Sequence, residues 1–445
     1  MKRQQLCAFQ LLTDIFFALA MTAFVLFPGI AGYQAIQEAK FELFRLLFGG
    51  YLGLMALAAL ELRLLGRCRW FSPMALWRKA SWTQRLVVCY WFLTVLATLH
   101  SPLRRYALWG MSRQEGLITI TIYCGCFLCV SEYGRLQRWM LDTFGVSMTL
   151  FAVLCLLQLR GGNPLGLYPQ GYNYFGANID YPGAYLGTIG NVDSVAALLC
   201  LAIPVFWVAL VRLKDVYRWW LALPLTLNLL VLVKMNVQAG LLGILAGTAL
   251  MLPVVLPVGK RGRMALWLLV AAGAGLCLCL IWTSPRTWGT IYELREVLHG
   301  NWEDSFGTGR VYIWKQVLSR VPKHLWLGTG PDTMAAAQIA GYTYRNPEFG
   351  TSVPFIVDVA HNEYLNVLYH QGLLALLAYL AALVSSAVWW LRRSEQSPGA
   401  AALGGAVLCY CIQAFFGFSM CQTAGLFWMI WALLERVCND MGEST

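Results

Sequence analysis

Charge is scarce in this 445-residue chain: Asp, Glu, Lys and Arg make up 12% of it, about half the share in an ordinary soluble domain. With 59% hydrophobic residues and a mean hydropathy of +0.59, that shortage excludes a soluble globular enzyme. Also missing are G-x-x-x-x-G-K-[ST], H-E-x-x-H and any paired-carboxylate metal motif in a loop, which argues against ATP hydrolysis and metalloprotease chemistry. No internal repeat or low-complexity tract interrupts the chain.

What is present is a succession of apolar runs, each near the roughly 20 residues needed to span a bilayer. Twelve are found, near residues 11–31, 44–65, 83–99, 116–132, 139–158, 192–211, 217–234, 238–257, 264–283, 362–391, 400–419 and 421–437. The fold class expected is all-α, a polytopic helical membrane protein with about twelve transmembrane helices and a large extracytoplasmic loop. It divides into residues 1–283 (helices 1 to 9), 284–361 (the loop) and 362–445 (helices 10 to 12 and a short tail). The first run lacks a small-residue cleavage site and is expected to be an anchor rather than a signal peptide.

The net charge of +11 is expected to lie in cytoplasmic Lys and Arg beside the helices, not on a surface for nucleic acid. With the N-terminus inside, Arg63, Arg67, Arg69, Arg78, Lys79, Arg85, Arg135, Arg138, Arg212, Lys214, Arg218, Lys260, Arg261, Arg263, Arg392 and Arg393 all fall in inside loops. The facing loops hold far fewer, Arg104, Arg105 and Arg113 among them. The 14 cysteines suggest no metal. Cys124, Cys126, Cys129, Cys155, Cys200, Cys277, Cys279, Cys409 and Cys411 lie inside apolar runs, where a thiol packs as a small hydrophobe. No His or second Cys pair completes a site with Cys124, Cys126 and Cys129. No cofactor is expected.

Two non-cytoplasmic segments, 159–190 and 284–361, are too long to be mere connections. The second carries seven basic and seven acidic residues, so it is a neutral, folded segment. Val311, Trp314, Val317, Leu318 and Val321 recur there at helical spacing, with Thr308 as N-cap and Pro322 as the limit, which predicts an amphipathic helix on the membrane surface. Beyond the turn at Gly328–Asp332, Pro331 is expected to open a short helix reaching about Ile339.

Arg310 falls in the first turn of the surface helix, where free N–H groups and the positive dipole end favour an anion. It is a candidate phosphate ligand; the alternative is an ion pair with Glu303 or Asp304, or contact with lipid headgroups. His361 precedes a long apolar helix at the membrane boundary, where imidazole is expected to titrate near neutrality and to serve either as a general base or as a structural residue. His100, His299, His324 and His370 have no comparable setting. Asn191, Asp193 and Ser194 open the sixth run, where capping by Asp193 or Ser194 explains them equally well. Lys234, Asn236 and Gln238 lie in a tight connection where polar groups are expected to face protein or a water-filled cavity. Gly240, Gly243 and Gly247 suit helix packing. Asp14 is the clear mid-span charge.

Several of these residues fall in segments with a familiar order. Gly187-Thr-Ile-Gly-Asn191-Val-Asp193 is similar to G-T-[FI]-x-N-x-N, and Gly307-Thr-Gly-Arg310 with Trp314 to S-G-R-x-x-x-W. Leu327-Gly-Thr-Gly330 is similar to L-G-x-G, and His361-Asn362-Glu363-Tyr364-Leu365 to H-N-x-[YF]-L. In this the chain resembles the O-antigen ligase and Wzy-type O-antigen polymerase family of bacterial envelope glycan enzymes, most strongly across residues 185–420. The resemblance implies metal-independent glycosyl transfer at the outer face of the cytoplasmic membrane. A polyprenyl-pyrophosphate-linked glycan would be the donor, and a lipid, glycan or protein hydroxyl the acceptor. It casts His361 as the group that activates or orients the acceptor and Arg310 as a pyrophosphate ligand, with Asn191, Asp193, Gln238, Asn362 and Tyr364 as further candidate substrate-binding residues, Asn362 also supporting the helix start. Two positions depart from the pattern. Val237-Gln238-Ala239-Gly240 stands where an S-R pair is usual, which leaves Lys234, Arg104, Arg105 or Arg113 to supply the cation, and Asp193 replaces an Asn. A lipid-glycan transporter, or a family member that binds the donor without catalysis, remains open as an alternative.

Overall fold

The computed structural model describes residues 2–30, 32, 35–65, 73–167, 187–341 and 356–443. Arg67, Arg69, Arg345 and Glu348 lie outside the described residues, as do parts of both long connections. All twelve apolar runs lie on helices. They are α1 (Lys2–Met21, continued by Ala23–Leu26), α2 (Ile36–Leu64), α3 (Trp82–His100), α4 (Leu117–Tyr133), α5 (Arg138–Leu159), α6 (Val192–Arg212), α7 (Ala222–Met235), α8 (Gln238–Val255) and α9 (Lys260–Trp282). After α10 (Thr290–Leu298) and α11 (Arg310–Leu318) in the long loop come α12 (Glu363–Arg393), α13 (Pro398–Ala414) and α14 (Cys421–Glu443). Among the described residues, nine helical stretches are long and apolar enough to cross a membrane, while α4 and α13 are shorter, at 17 residues each. Extended structure among them amounts to an isolated bridge between Ala340 and Ile356. The chain is an all-α, multi-pass membrane protein.

Helix α6 forms the centre, with most of its side chains buried among α7, α8 and α13. Close approach rests on small residues, because lipid offers no hydrophobic reward for helix association. A Cβ on Gly240 would stand 2.8 Å from the Ala196 methyl, and one on Gly243 would stand 2.9 Å from the Cys409 carbonyl oxygen. Around this centre α12 runs along α3, and α14 along α4. Among the described residues, helix α9 adjoins chiefly α8 and α10 and buries none of its residues. Cys277 and Cys279 accordingly face outward, whereas Cys124, Cys126, Cys155, Cys200 and Cys409 are enclosed by protein.

One end of the bundle gathers the basic loops. Arg212 donates to the carbonyls of Val255 and Glu395, Arg138 pairs with Asp215 at 3.0 Å, Arg263 pairs with Glu395, and Arg393 reaches the Met441 carbonyl. Asp14 lies at this end too, accepting from Arg135 and Gln137. It is not the only charge within a helix: Lys40 and Glu435 are both enclosed, Lys40 with its ammonium donating to the Phe24 and Val25 carbonyls where α1 ends.

The opposite end is built around the long loop, and three local expectations change there. Helix α11 is capped at Gly309, not Thr308, because the cap backbone sits at φ +84°, which favours glycine. Its apolar face does not lie on the membrane surface. Ile313, Val317 and Val321 pack with Met334, Ile339, Val357, Leu365 and Tyr369 in a small core of their own, and Leu318 is exposed. The helix expected from Pro331 is only a single 3-10 turn, Met334–Ala337, since Asp332 turns the chain at φ +51°. The loop is fastened to α12 where that helix breaks at Gly372, with φ 85° and ψ 176°. There the amides of Thr329 and Gly330 donate to the carbonyls of Tyr369 and His370, and the Leu373 amide donates to Leu325.

Candidate functional site

His361 stands at the mouth of α12, with Asn362 behind it as the N-cap whose Oδ1 accepts from the Leu365 amide at 3.0 Å. The backbone at His361 is left-handed, φ +48°. Its neighbour Ala360 is held from both sides, the amide donating to Asn366 and the carbonyl accepting from the Trp314 indole at 2.9 Å. The imidazole lies edge-on to Phe418, and among the described residues its buried Nδ1 has no hydrogen-bond partner.

Arg113 comes from the loop between α3 and α4 and meets Asp358 in a bidentate pair, with Nε at 2.7 Å and one terminal nitrogen at 3.2 Å. The same guanidinium lies over the Phe418 ring, 5.3 Å from its centroid. Phe418 therefore supports both Arg113 and His361. A cavity of about 430 Å³ has Ser112, Arg113, Gln338, Asp358 and His361 in its wall.

Asp332 presents the Arg113 loop. Its carboxylate accepts from Ser112 (amide and hydroxyl), from the Arg113 amide at 2.8 Å and from the Glu115 amide. Its own amide donates to His370 Nδ1 at 2.6 Å. Beneath Arg113 lies a second, smaller cavity of about 70 Å³, lined by Glu115, Asp332, Glu363, His370 and Gln371 among others. Burial raises the Asp332 and Glu115 carboxyls above their ordinary range. Gln114, Thr308, Asp332, Gln338 and His361 all adopt positive φ, a concentration of strained backbone on the segments that form this end of the molecule.

Arg310 is the first residue of α11, and among the described residues its buried Nε has no hydrogen-bond partner. Pairing with Asp304 is excluded, since that carboxylate is taken by Lys315 at 2.7 Å. The Arg310 cation is within electrostatic range of both His361 and Asp193. His361 does not titrate near neutrality. Burial above all, then the Arg310 and Arg113 charges, lower it from 6.5 to about 4 against the opposing pull of Asp358.

Residues 223–380 match the family model described as O-antigen ligase. This segment of the chain is similar to the O-antigen ligase family. No curated protein matches the chain. The matched segment contains Arg310, Asp332, Asp358, His361 and His370, while Arg113 reaches the cavity lined by Asp358 and His361 from outside it.

Other positions read from the sequence sit elsewhere. Asn191 is itself the cap of α6, its Oδ1 accepting from the amides of Asp193 and Ser194, so neither of those residues caps the helix. Tyr364 donates to the Cys411 carbonyl at 2.8 Å and ties α12 to α13. Lys234, Asn236 and Gln238 are exposed. Gln238 exchanges hydrogen bonds with the Thr290 hydroxyl, linking α8 to α10. Arg105 is exposed, and among the described residues neither it nor Lys234 lines the Arg113–His361 cavity.

Sequence reasoning missed His370, which is buried beside Asp332, and it missed Asp358 and Phe418. A signal for Asp358 existed in its spacing three residues before His361. None existed for His370, a polar residue within an apolar run, or for Phe418.

Proposed function

We propose that this protein transfers a glycan from a polyprenyl-pyrophosphate carrier to an acceptor hydroxyl, without a metal ion, at the outer face of the bacterial cytoplasmic membrane. The observation that carries the reading is that Arg113 and His361 share the wall of one cavity, with the Arg310 cation within electrostatic range of His361, at the end of the bundle opposite the basic loops. Two guanidinium groups suit the charge of a pyrophosphate. The basic loops at the other end support cytoplasmic termini, with the long loop outside.

In this reading the pyrophosphate lies against Arg310 and Arg113, with the anomeric carbon toward His361. The acceptor hydroxyl gives its proton to the imidazole as its oxygen bonds to that carbon. The bond from carbon to phosphate oxygen breaks, and the electron pair leaves with the pyrophosphate. Negative charge grows on the departing group, so fixed cations there lower the barrier most directly.

The test is glycan transfer by purified protein with chelator present, comparing wild type, His361→Ala and Arg310→Ala. Wild type alone should release the lipid pyrophosphate at full rate, with each variant slowed by about 100-fold or more. Movement of labelled donor between leaflets by a wild type that never transfers glycan would replace this reading with a transporter.

A further inference from the structure

An imidazole with a value of about 4 is a weak base, and the structure contains the reason for this state and a way out of it. The charges that face His361 are Arg310 from α11, Arg113 from the loop between α3 and α4, and Asp358 from the segment leading into α12. Phe418, on the fourth side, is neutral. Two cations and one anion leave an excess positive charge, which opposes protonation of the ring.

Asp358 is the exchangeable member of this set. Its carboxylate grips Arg113 in the bidentate geometry that a phosphate would also use, and both side chains of the pair are 24% exposed, within reach of a ligand in the cavity. The backbone around it is pinned: Val357 donates to the Ile339 carbonyl, and Ala360 is held by Asn366 and Trp314. Freedom is thus left to the side chain. In the wall of the same cavity, the Nδ1 of His361 is buried and lacks any partner among the described residues, and a buried polar group left unpaired is costly.

We propose that Asp358 is a stand-in anion that holds Arg113 while the donor is absent, yields that guanidinium to the arriving pyrophosphate, and turns to the unpartnered Nδ1 of His361. This rests on the glycan-transfer reading and deepens it, because the donor then completes the base that will act on it. With Nδ1–H donating to Asp358, the free pair sits on Nε2, where the acceptor proton is received. No proton is lost in the exchange. The acceptor proton ends on Nε2 and passes to water or to the released pyrophosphate after transfer. Without donor, the ring stays a poor base and no acceptor is activated to no purpose.

The experiment uses full-length protein in lipid nanodiscs with ¹⁵N-labelled histidine, the His361 signals being identified by their loss in His361→Gln. His361 is titrated with and without inorganic pyrophosphate, whose binding is followed by calorimetry. In wild type, pyrophosphate should move the His361 midpoint upward by about one pH unit or more. In Asp358→Asn it should move by less than half as much. Kinetically, Asp358→Asn should lower kcat about 100-fold. It should also lower the donor KM, because a competitor for Arg113 is gone, and a purely structural role would not produce that split. The proposal is overturned if pyrophosphate does not bind, if it binds without moving His361, or if Asp358→Asn responds like wild type. Failure of wild type to transfer glycan would instead remove the function, and that assay is read separately from the titration.

Discussion

The amide of Asp332 donates to Nδ1 of His370 at 2.6 Å, and with the Thr329 and Gly330 amide bonds beside it this ties the turn that carries Asp332 to α12 where that helix breaks. The Asp332 carboxylate then gathers the Arg113 loop by accepting from three backbone amides and the Ser112 hydroxyl. Asp332→Ala would leave those donors unpaired in a buried setting. A loss of about 3 kcal/mol is expected, read as earlier unfolding in detergent, with weaker pyrophosphate binding as Arg113 loses its support. An unchanged unfolding midpoint would show that the loop is held by something else.

Gly328 and Gly372 meet across the same junction. A Cβ on Gly328 would run into the backbone of His370, and one on Gly372 into that of Trp326, and both glycines have positive φ. Alanine at either position should destabilise the protein by about 3 kcal/mol or more, from combined overlap and backbone strain. Gly273→Ala in α9, where a Cβ would meet nothing within 4 Å, is the control. It should leave thermal stability unchanged, and equal effects at all three sites would contradict the close contact.

The lowered His361 value has a consequence for acid stability. Between pH 6.5 and about 4 the unfolded chain takes up a proton at this imidazole that the folded protein declines. Its contribution is therefore complete above pH 6.5 and is lost as the pH falls to about 4, by as much as about 3 kcal/mol. Asp332 and Glu115, whose carboxyls are raised by burial, act in the opposite sense, but they cancel in a difference between variants. His361→Gln should lose less thermal stability than wild type on acidification across this window. Parallel pH profiles for the two proteins would refute the prediction.

Asp193 sits within electrostatic range of Arg310, where it opposes an incoming anion. Asp193→Asn should lower the donor KM about three- to fivefold, the effect of one partly screened charge. Steady-state kinetics at two salt concentrations would check it, and the gain should shrink at the higher salt. A raised KM would mean that Asp193 contacts the donor directly.

The helices were legible because each apolar run is long and bounded by charges, and the resemblance across residues 185–420 agreed with the O-antigen ligase match at residues 223–380. Arg310 was correctly read into a first helical turn, for a local reason, as glycines precede it. What escaped was long-range. Arg113 meets Asp358 across 245 positions of sequence, and Asp332 meets His370 across 38, so neither pair leaves a periodic trace. His370 looked like a polar accident in an apolar run because its partner lies in a turn that no hydropathy pattern marks. The misplaced cap at Thr308 had another cause: only the backbone geometry reveals that Gly309 is the residue taking the left-handed turn.

Helix α9 buries none of its side chains and adjoins the bundle chiefly through α8 and α10. Apart from Arg263, which pairs with Glu395, and Trp282, which stacks on His299, its residues answer to little beyond oiliness and length, so their spelling is loosely constrained while that of the stretches around Arg113 and His361 is not. It behaves as a float from which the outer loop is moored, able to be exchanged for an unrelated spanning segment without disturbing the machinery at the other side of the molecule.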